Sequence, residues 1–169
     1  MILPELPTMD AALRLGAATL AGAALGLNRE IHGQSAGLRT HALVALGTGL
    51  ITLVGVSAAT GDGGFDSASL ARVIQGITAG IGFLGGGAIL KGSGEQVRGL
   101  TTAATLWVAC GVGIACASGL WHTTLIAVAI TTLVLVGGRR IDHLVHRWFP
   151  ADVRAAGADP GASTKRGQR

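Results

Sequence analysis

The sequence predicts an all-α membrane protein, a polytopic bundle of about five transmembrane helices that pack through glycine-rich faces. Of its 169 residues, 49% are apolar, only 13% are charged and 28 are glycine. A soluble domain carries about 25% charged residues, so this chain has too little charge to solvate its own surface. Five long apolar stretches also approach or reach the roughly 17 to 25 residues that span a bilayer. They lack the polar stripe at helical spacing that a soluble bundle would show.

The predicted spans place a transmembrane domain over residues 1–138. They comprise residues 11–27, 42–59, 74–90, 99–117 and 122–138. The first stretch follows Glu5 and Asp10 and has no basic residue before Arg14, whereas a cleaved signal peptide requires a basic start. We therefore interpret it as a retained helix. Asp10 and Arg14 are four residues apart, which predicts an ion pair at the start of this helix.

Small residues predict how the helices meet, because close backbone approach supplies much of the packing between helices in lipid. Six glycines are the predicted packing positions in helices one and three: Gly22, Gly26, Gly76, Gly80, Gly82 and Gly86. Helix three has the most, so we expect it at the centre of the bundle, and helix five at the lipid-facing edge. The run 85–87 is compatible with tight packing or with a helix break. It lacks the Gly-Lys-Ser/Thr that a phosphate-binding loop requires.

The distribution of basic residues predicts the orientation. Two lie in loop 28–41, two in loop 91–98 and seven in the tail from residue 139, which is eleven of the 13. Cytosolic segments carry such an excess, so we predict an external amino terminus and a cytosolic carboxyl terminus. Within the tail 139–169, residues 139–149 are predicted to form a short interfacial helix with Trp148 and Phe149 at the headgroups. The remainder is predicted to be disordered.

Polar residues cluster at the predicted cytosolic ends of helices one to four and form a candidate functional polar surface. Its members are Asn28, Arg29, Glu30, Arg39, Thr40, Glu95, Arg98, Thr101 and Thr102. Arg72 and Gln75 are further candidates on the outer side, with Asp62 or Asp66 as the partner of Arg72. Two interpretations stay open: these residues are helix caps and interfacial anchors, or they form a surface that a partner or an ion recognises.

Several function classes are disfavoured. No basic cluster is interleaved with aromatic residues, which argues against nucleic-acid binding. Cys110 and Cys116 are six residues apart on one helix, so they point to different faces and cannot form a disulfide. No nucleophile, base and orienting group occur together, so we expect no enzyme, and no cofactor motif is evident. No span has a central carboxylate, which argues against a magnesium path, although magnesium binding stays open.

Four motifs, in order, carry a resemblance to a known family. They are GLNRE at 26–30, AGLRTH at 36–41 followed by LVALG at 43–47, RVIQGI at 72–77 leading to GIGFLG at 80–85, and VRGLTTAA at 97–104 with Trp107. Together they resemble the MgtC/SapB family over roughly residues 12–138.

The resemblance implies a bacterial inner-membrane protein associated with magnesium homeostasis, growth at low magnesium and survival inside host phagocytes. It also implies a regulator that acts on another membrane protein, such as the ATP synthase. The alternative is a magnesium transporter or channel component, as an older family label suggests. The expected partners are therefore the lipid bilayer and another membrane protein. Association of the chain with a second copy of itself stays open.

Two departures limit what the resemblance transfers. Longer family members carry a carboxyl-terminal domain resembling the ACT fold, for which residues 139–169 are too few. Gly86 also stands where the family often has alanine, which should increase flexibility without changing function.

Overall fold

A computed structural model of the chain describes residues 7–61, 64–91 and 97–148. Within them lie five helices: α1 (Thr8–Ile31), α2 (Leu38–Ala59), α3 (Ser67–Ala88), α4 (Leu100–Ala117) and α5 (Trp121–Trp148). All five are long and apolar enough to cross a membrane. The predicted fold class, an all-α bundle of about five membrane-spanning helices, is confirmed.

Two short antiparallel strand pairs lie in connections between helices where the sequence predicts only loops. Strands β1 (Thr60–Gly61) and β2 (Gly64–Phe65) connect α2 to α3, and strands β3 (Leu90–Lys91) and β4 (Val97–Arg98) connect α3 to α4. Each strand has two residues, which is too short for the alternating pattern that identifies a strand in sequence.

Helices α1, α2, α3 and α5 extend beyond the predicted apolar spans at one end or both, because polar residues continue them, whereas α4 lies within its predicted span and α3 ends two residues before its predicted end. Residues 28–31 belong to α1, and α2 begins at Leu38. Helix α3 begins after Asp66, whose side chain accepts hydrogen bonds from the backbone N–H of Ala68 at 3.0 Å and from the Ser69 hydroxyl. Hydropathy therefore indicated five membrane-crossing helices but not their capped ends.

The chain divides into two compact units, at residues 1–133 and 134–169. In the first unit, α2 packs against α1, α3 and α4, and α1 also packs against α4. Helix α4 likewise packs against α1, α2 and α3, so α2 and α4 share the central position and the expectation that helix three is central is wrong. On α3 only Ile77, Ile81 and Gly85 are buried.

Glycines of α1 and α4 lie where two backbones meet. A β-carbon added at Gly22 would lie 2.5 Å from the carbonyl oxygen of His41, and one added at Gly26 would lie 2.6 Å from that of Gly37. At Gly113, the added carbon would lie 2.3 Å from the carbonyl oxygen of Ala45. These distances are well below van der Waals contact, so α2 approaches both neighbouring helices closely only because no side chain intervenes.

The glycines predicted to pack helix three behave differently. A β-carbon added at Gly76, Gly80, Gly82 or Gly86 meets no atom within 4 Å. Among the described residues, these four positions therefore do not mediate the helix contacts that their spacing predicted. The helix also continues through the run 85–87 to Ala88, so no break occurs there.

Two small apolar clusters form the described core. One contains Ala18, Leu25, Val112 and Cys116, and the other contains Ile77, Ile81, Leu106 and Cys110. The two thiols are free and buried, and they lie in separate clusters. The prediction that they occupy different faces of their helix is confirmed.

Helix α5 contributes Thr124 to the buried set of the first unit, while Leu125, Ile130 and Leu133 are exposed. This exposure is consistent with the predicted lipid-facing edge. In the second unit, the helix runs from Val134 to Trp148 and covers most of the segment predicted as an interfacial helix. Phe149 and the segment predicted as disordered lie outside the described residues.

Candidate functional site

Arg29 organises the end of the first unit where α1 ends and α4 begins. Its side chain is 1% exposed, and its guanidinium donates to the carbonyl oxygens of Ser35 at 2.9 Å and Ala36 at 3.2 Å. It also donates to the hydroxyl oxygen of Thr102 on α4. A guanidinium suits this position because its five N–H donors are fixed in one plane. Arg29 therefore joins α1, the loop 32–37 and α4.

The loop 32–37 is held in a specific conformation around this arginine. Ala36 has a φ of 55°, the left-handed region, which costs a residue with a side chain about 1–2 kcal/mol. The bond from Arg29 to the Ala36 carbonyl helps to offset that cost. The Ser35 and Thr102 hydroxyl oxygens are 3.2 Å apart, so a second hydrogen bond connects the loop to α4.

Glu30 caps the next helix. Its Oε2 accepts a hydrogen bond from the backbone N–H of Leu38, the first residue of α2, at 3.0 Å. A carboxylate at a helix amino terminus also interacts favourably with the helix dipole. A β-carbon at Gly37 would lie 1.7 Å from that same oxygen, so glycine is required for the cap to form in this geometry.

A buried histidine lies close to this cap. The His41 side chain on α2 is fully buried, and its Nδ1 lies 3.0 Å from the carbonyl oxygen of Gly37. Since a carbonyl only accepts, Nδ1 carries the proton and Nε2 is left as an acceptor. Nε2 of His41 and Oδ1 of Asn28 have no hydrogen-bond partner among the described residues.

A polar cavity of about 550 Å³ opens beside the loop 32–37. Its lining is formed by the loop, by strand β4 and by the first turn of α4: Gly33, Gln34, Ser35, Val97, Arg98, Gly99, Leu100, Thr101 and Thr102. Arg98 and Thr101 are exposed there, whereas Thr102 is buried against Arg29. The cavity thus presents hydroxyl, amide and guanidinium groups on a wall that Arg29 holds in place.

Gly99 fixes the start of α4 at this cavity. It has a φ of 92°, and an added β-carbon would lie 1.9 Å from the carbonyl oxygen of Ala88. Only glycine adopts this positive φ without strain and also leaves room for the Ala88 carbonyl oxygen. The first turn of α4 has N–H groups without a partner in the part of the chain that the structure describes, and it carries the positive end of the helix dipole, so together with Arg98 it makes the described lining electropositive. In the described ranges 7–61, 64–91 and 97–148, no group of three or more His, Cys, Asp or Glu side chains could hold a metal ion.

The opposite end of the first unit has its own polar contacts. Arg14 donates through Nε to Asp10 at 2.8 Å and through Nη1 to the carbonyl oxygen of Ala117, the last residue of α4, at 2.6 Å. The predicted Asp10–Arg14 ion pair is confirmed, and its arginine also caps α4. At the start of α3, the Ser69 hydroxyl holds the pKa of the Asp66 carboxyl below its usual range, and the charge of Arg72 adds to this effect.

A family model described as the MgtC family matches residues 15–144. This chain belongs to the MgtC family. The match covers all four motifs on which the resemblance rested, and the family assignment is confirmed.

Similarity to individual members of the MgtC family extends along most of the chain. Protein SrpB of Synechococcus elongatus is 41% identical over 152 residues, which cover 85% of this chain and 83% of that protein. Protein MgtC of Salmonella typhimurium is 42% identical over 118 residues, covering 70% of this chain and 48% of that protein. The putative magnesium transporter YhiD of Escherichia coli is 34% identical over 130 residues, which cover 76% of this chain and 60% of that protein.

The chain spans about half the length of MgtC but most of SrpB. No solved structure matches it. With the family established, five membrane-crossing helices make this chain a multi-pass membrane protein of the MgtC family.

The structure separates the predicted polar surface of this MgtC-family chain into two parts and leaves one member undescribed. Arg98, Thr101 and Thr102 line the cavity, and Arg29 contacts Thr102 from behind the lining, with Asn28 and Glu30 in the same last turn of α1. Arg39 and Thr40 instead line a groove between α2 and α3. Glu95 lies outside the described residues. Of the outer candidates, Arg72 and Gln75 are exposed on α3.

Sequence reasoning missed His41 and Ser35 as members of this site. His41 entered the prediction only as the last residue of the motif at 36–41, yet it begins a buried series on α2 that continues with Ala45, Thr48 and Thr52. Their spacing of three and four residues marks one helix face, and it was the available signal. Ser35 has no such pattern, because its role depends on the distant Thr102.

Proposed function

We propose that this protein acts in magnesium homeostasis as a regulator that binds another membrane protein through the Arg29 end of its bundle. The proposal extends to this chain the magnesium-related name of the relative YhiD and the role implied by the family resemblance, in which the membrane ATP synthase is the candidate partner. We also place this end in the cytosol of a bacterial inner membrane, as the distribution of basic residues predicts.

The polar cavity is the observation that supports binding most directly. Its hydrogen-bonding groups are exposed, yet the wall behind them is fixed by Arg29, Thr102 and the constrained Gly99. A preformed polar surface loses little conformational freedom when a partner docks, so the contacts made there translate efficiently into affinity. The electropositive lining suits a carboxylate or carbonyl group of a partner better than a bare cation.

The test compares variants of the cavity with a matched arginine variant elsewhere. Arg98→Gln and Thr101→Ala remove groups that face the cavity without removing a described hydrogen bond. Arg140→Gln makes the same change at an exposed arginine outside the cavity. We expect the first two to lose rescue of a deletion strain at low magnesium while membrane abundance stays normal, and Arg140→Gln to retain it.

Purification from native membranes under magnesium limitation should then recover a partner protein with the wild-type chain and less of it with Arg98→Gln. Full rescue by both cavity variants would contradict the proposal. Equal recovery of the partner by the wild type and Arg98→Gln would contradict it as well.

The second candidate function is magnesium transport, and His41 is the observation that favours it. An ionisable side chain buried in a membrane-crossing helix, with an unpartnered ring nitrogen, marks functional pathways in many membrane proteins. Saturable magnesium uptake into liposomes that contain only this protein, lost in His41→Ala, would establish transport in place of regulation.

A further inference from the structure

An apolar groove of about 760 Å³ separates α2 from α3. Its first wall is formed by α2 from Arg39 to Ile51 and its second by α3 from Val73 to Leu84. Three glycines in the lining, Gly47, Gly76 and Gly80, have no atom of the described residues within 4 Å of an added β-carbon. The groove therefore exists because side chains are missing from both walls.

Polarity is confined to one mouth of the groove. Arg39 and Thr40 lie there, both are exposed, and neither has a hydrogen-bond or ion-pair partner among the described residues. Deeper in, the only other polar side chain is Thr48, whose hydroxyl already donates to backbone carbonyl oxygens, including that of Cys110 at 3.2 Å. The groove is thus cationic at one end and apolar along the rest.

The length of the groove matches one leaflet of a membrane. The twelve residue-to-residue steps from Arg39 to Ile51 rise about 18 Å along α2. Half of a hydrocarbon core of roughly 30 Å is about 15 Å. Beyond this depth the walls meet, because a β-carbon added at Gly55 would lie 2.8 Å from the Val73 side chain. A transmembrane helix of a partner would need a groove across the whole core, whereas an acyl chain needs only this depth.

We propose that this groove is a binding site for one anionic phospholipid, with its phosphate at Arg39 and Thr40 and an acyl chain between α2 and α3. The charge pattern and the closed inner end both fit this amphiphile. Apolar contact alone would not distinguish the site from surrounding lipid, since lipid tails are as apolar as the groove. Shape and the Arg39 charge supply the selectivity.

Native mass spectrometry of the purified full-length protein in detergent, titrated with phosphatidylglycerol or phosphatidylcholine, tests the site. We expect one tightly held phosphatidylglycerol per chain and weaker binding of phosphatidylcholine. Arg39→Gln should lower phosphatidylglycerol affinity by about fivefold, the typical effect of one basic residue at an anionic membrane surface, and narrow the difference between the two lipids.

Groove-filling variants test the position of the acyl chain. Gly80→Leu on α3 and Gly47→Leu on α2 place a side chain in the groove from opposite walls and should lower affinity for both lipids by roughly fivefold or more through lost contacts. Gly82→Leu is the matched control, because it makes the same change on α3 outside the groove lining and also meets no atom within 4 Å. It should bind like the wild type.

Thermal melts without added lipid identify any variant that fails to fold. If one groove-filling variant fails, the lipid affinity of the variant on the opposite wall tests the proposal. Equal lipid affinity of Gly80→Leu and Gly82→Leu would overturn the proposal, as would equal affinity of the wild type for the two lipids. Loss of a dimer in Gly80→Leu with lipid affinity unchanged would assign the groove to a second copy of the chain and overturn it too.

Discussion

Gly113 offers a direct test of the close packing between α2 and α4. A β-carbon there would lie 2.3 Å from the Ala45 carbonyl oxygen and 2.1 Å from the Thr48 hydroxyl oxygen. Because the first of these atoms is backbone, Gly113→Ala cannot be accommodated by a side-chain rotation alone. The two helices must move apart by on the order of 1 Å to restore contact distances of roughly 3.5 Å.

The expected cost follows from this separation. Overpacking of this kind costs typically about 1–3 kcal/mol, and the Thr48 bond to the Cys110 carbonyl adds roughly 0.6 kcal/mol if it is lost. Replacing glycine by alanine in a helix returns up to about 1 kcal/mol. We therefore expect Gly113→Ala to lower the free energy of unfolding by about 1–2 kcal/mol.

Gly111→Ala on the same helix is the matched control, since its added β-carbon meets no atom within 4 Å. That variant should be neutral or more stable by up to about 1 kcal/mol, because only the propensity gain applies. Thermal or denaturant-dependent unfolding in detergent, compared between the two variants, measures the difference. If Gly113→Ala is as stable as Gly111→Ala, the inferred close approach of α2 and α4 is wrong.

Three further predictions concern the Arg29 guanidinium, the Asp66 carboxylate and the orientation of the chain in the membrane. Arg29→Lys should lower membrane abundance and lower the free energy of unfolding in detergent by roughly 2–4 kcal/mol, because one ammonium group cannot donate to all the acceptors that the planar guanidinium reaches. Wild-type stability of this variant would contradict the role of the guanidinium. The pKa of Asp66 is lowered in the folded state, so its carboxylate stabilises the protein above the unfolded pKa near 3.8 and loses that effect as the pH falls through the lower folded value. Asp66→Ser, which can still cap, should keep most of the stability at pH 7 but lose this acid dependence, and an unchanged pH profile would contradict the assignment. Reporter fusions after Gly33 and Arg147 should behave as cytosolic and one at Gly63 as external; the reverse at any two sites would overturn the orientation.

The membrane-crossing helices were predictable because each is a long apolar stretch, and this signal depends only on local composition. The arrangement of the helices was not. Counting glycines favoured α3 as the centre, but a glycine permits close approach without requiring it, and the partner surface decides whether it is used. Gly22 and Gly113 face the backbone of α2, whereas Gly80 faces an open groove.

The polar surface shows the same division between local and distant information. Clustering near the helix ends correctly brought Arg29 and Thr102 into one set, because the topology placed those ends on one side. Sequence position alone does not show that the Arg29 side chain donates to the loop 32–37, whereas the Arg39 side chain lines the groove between α2 and α3. That distinction depends on which helix lies beside each arginine, and it is a property of the packed bundle.

The bond from Arg14 to the Ala117 carbonyl has a consequence for how the chain is assembled. The two residues are 103 positions apart, so α1 is made and inserted long before the carbonyl that its arginine will cap. Until then Asp10, four residues away, provides a counter-charge for the guanidinium. Arrival of α4 completes the set of acceptors and closes the bundle across its first and fourth helices. A truncated chain that ends after α3 would lack this closure, and Arg14 in its first helix would lack the Ala117 carbonyl as an acceptor.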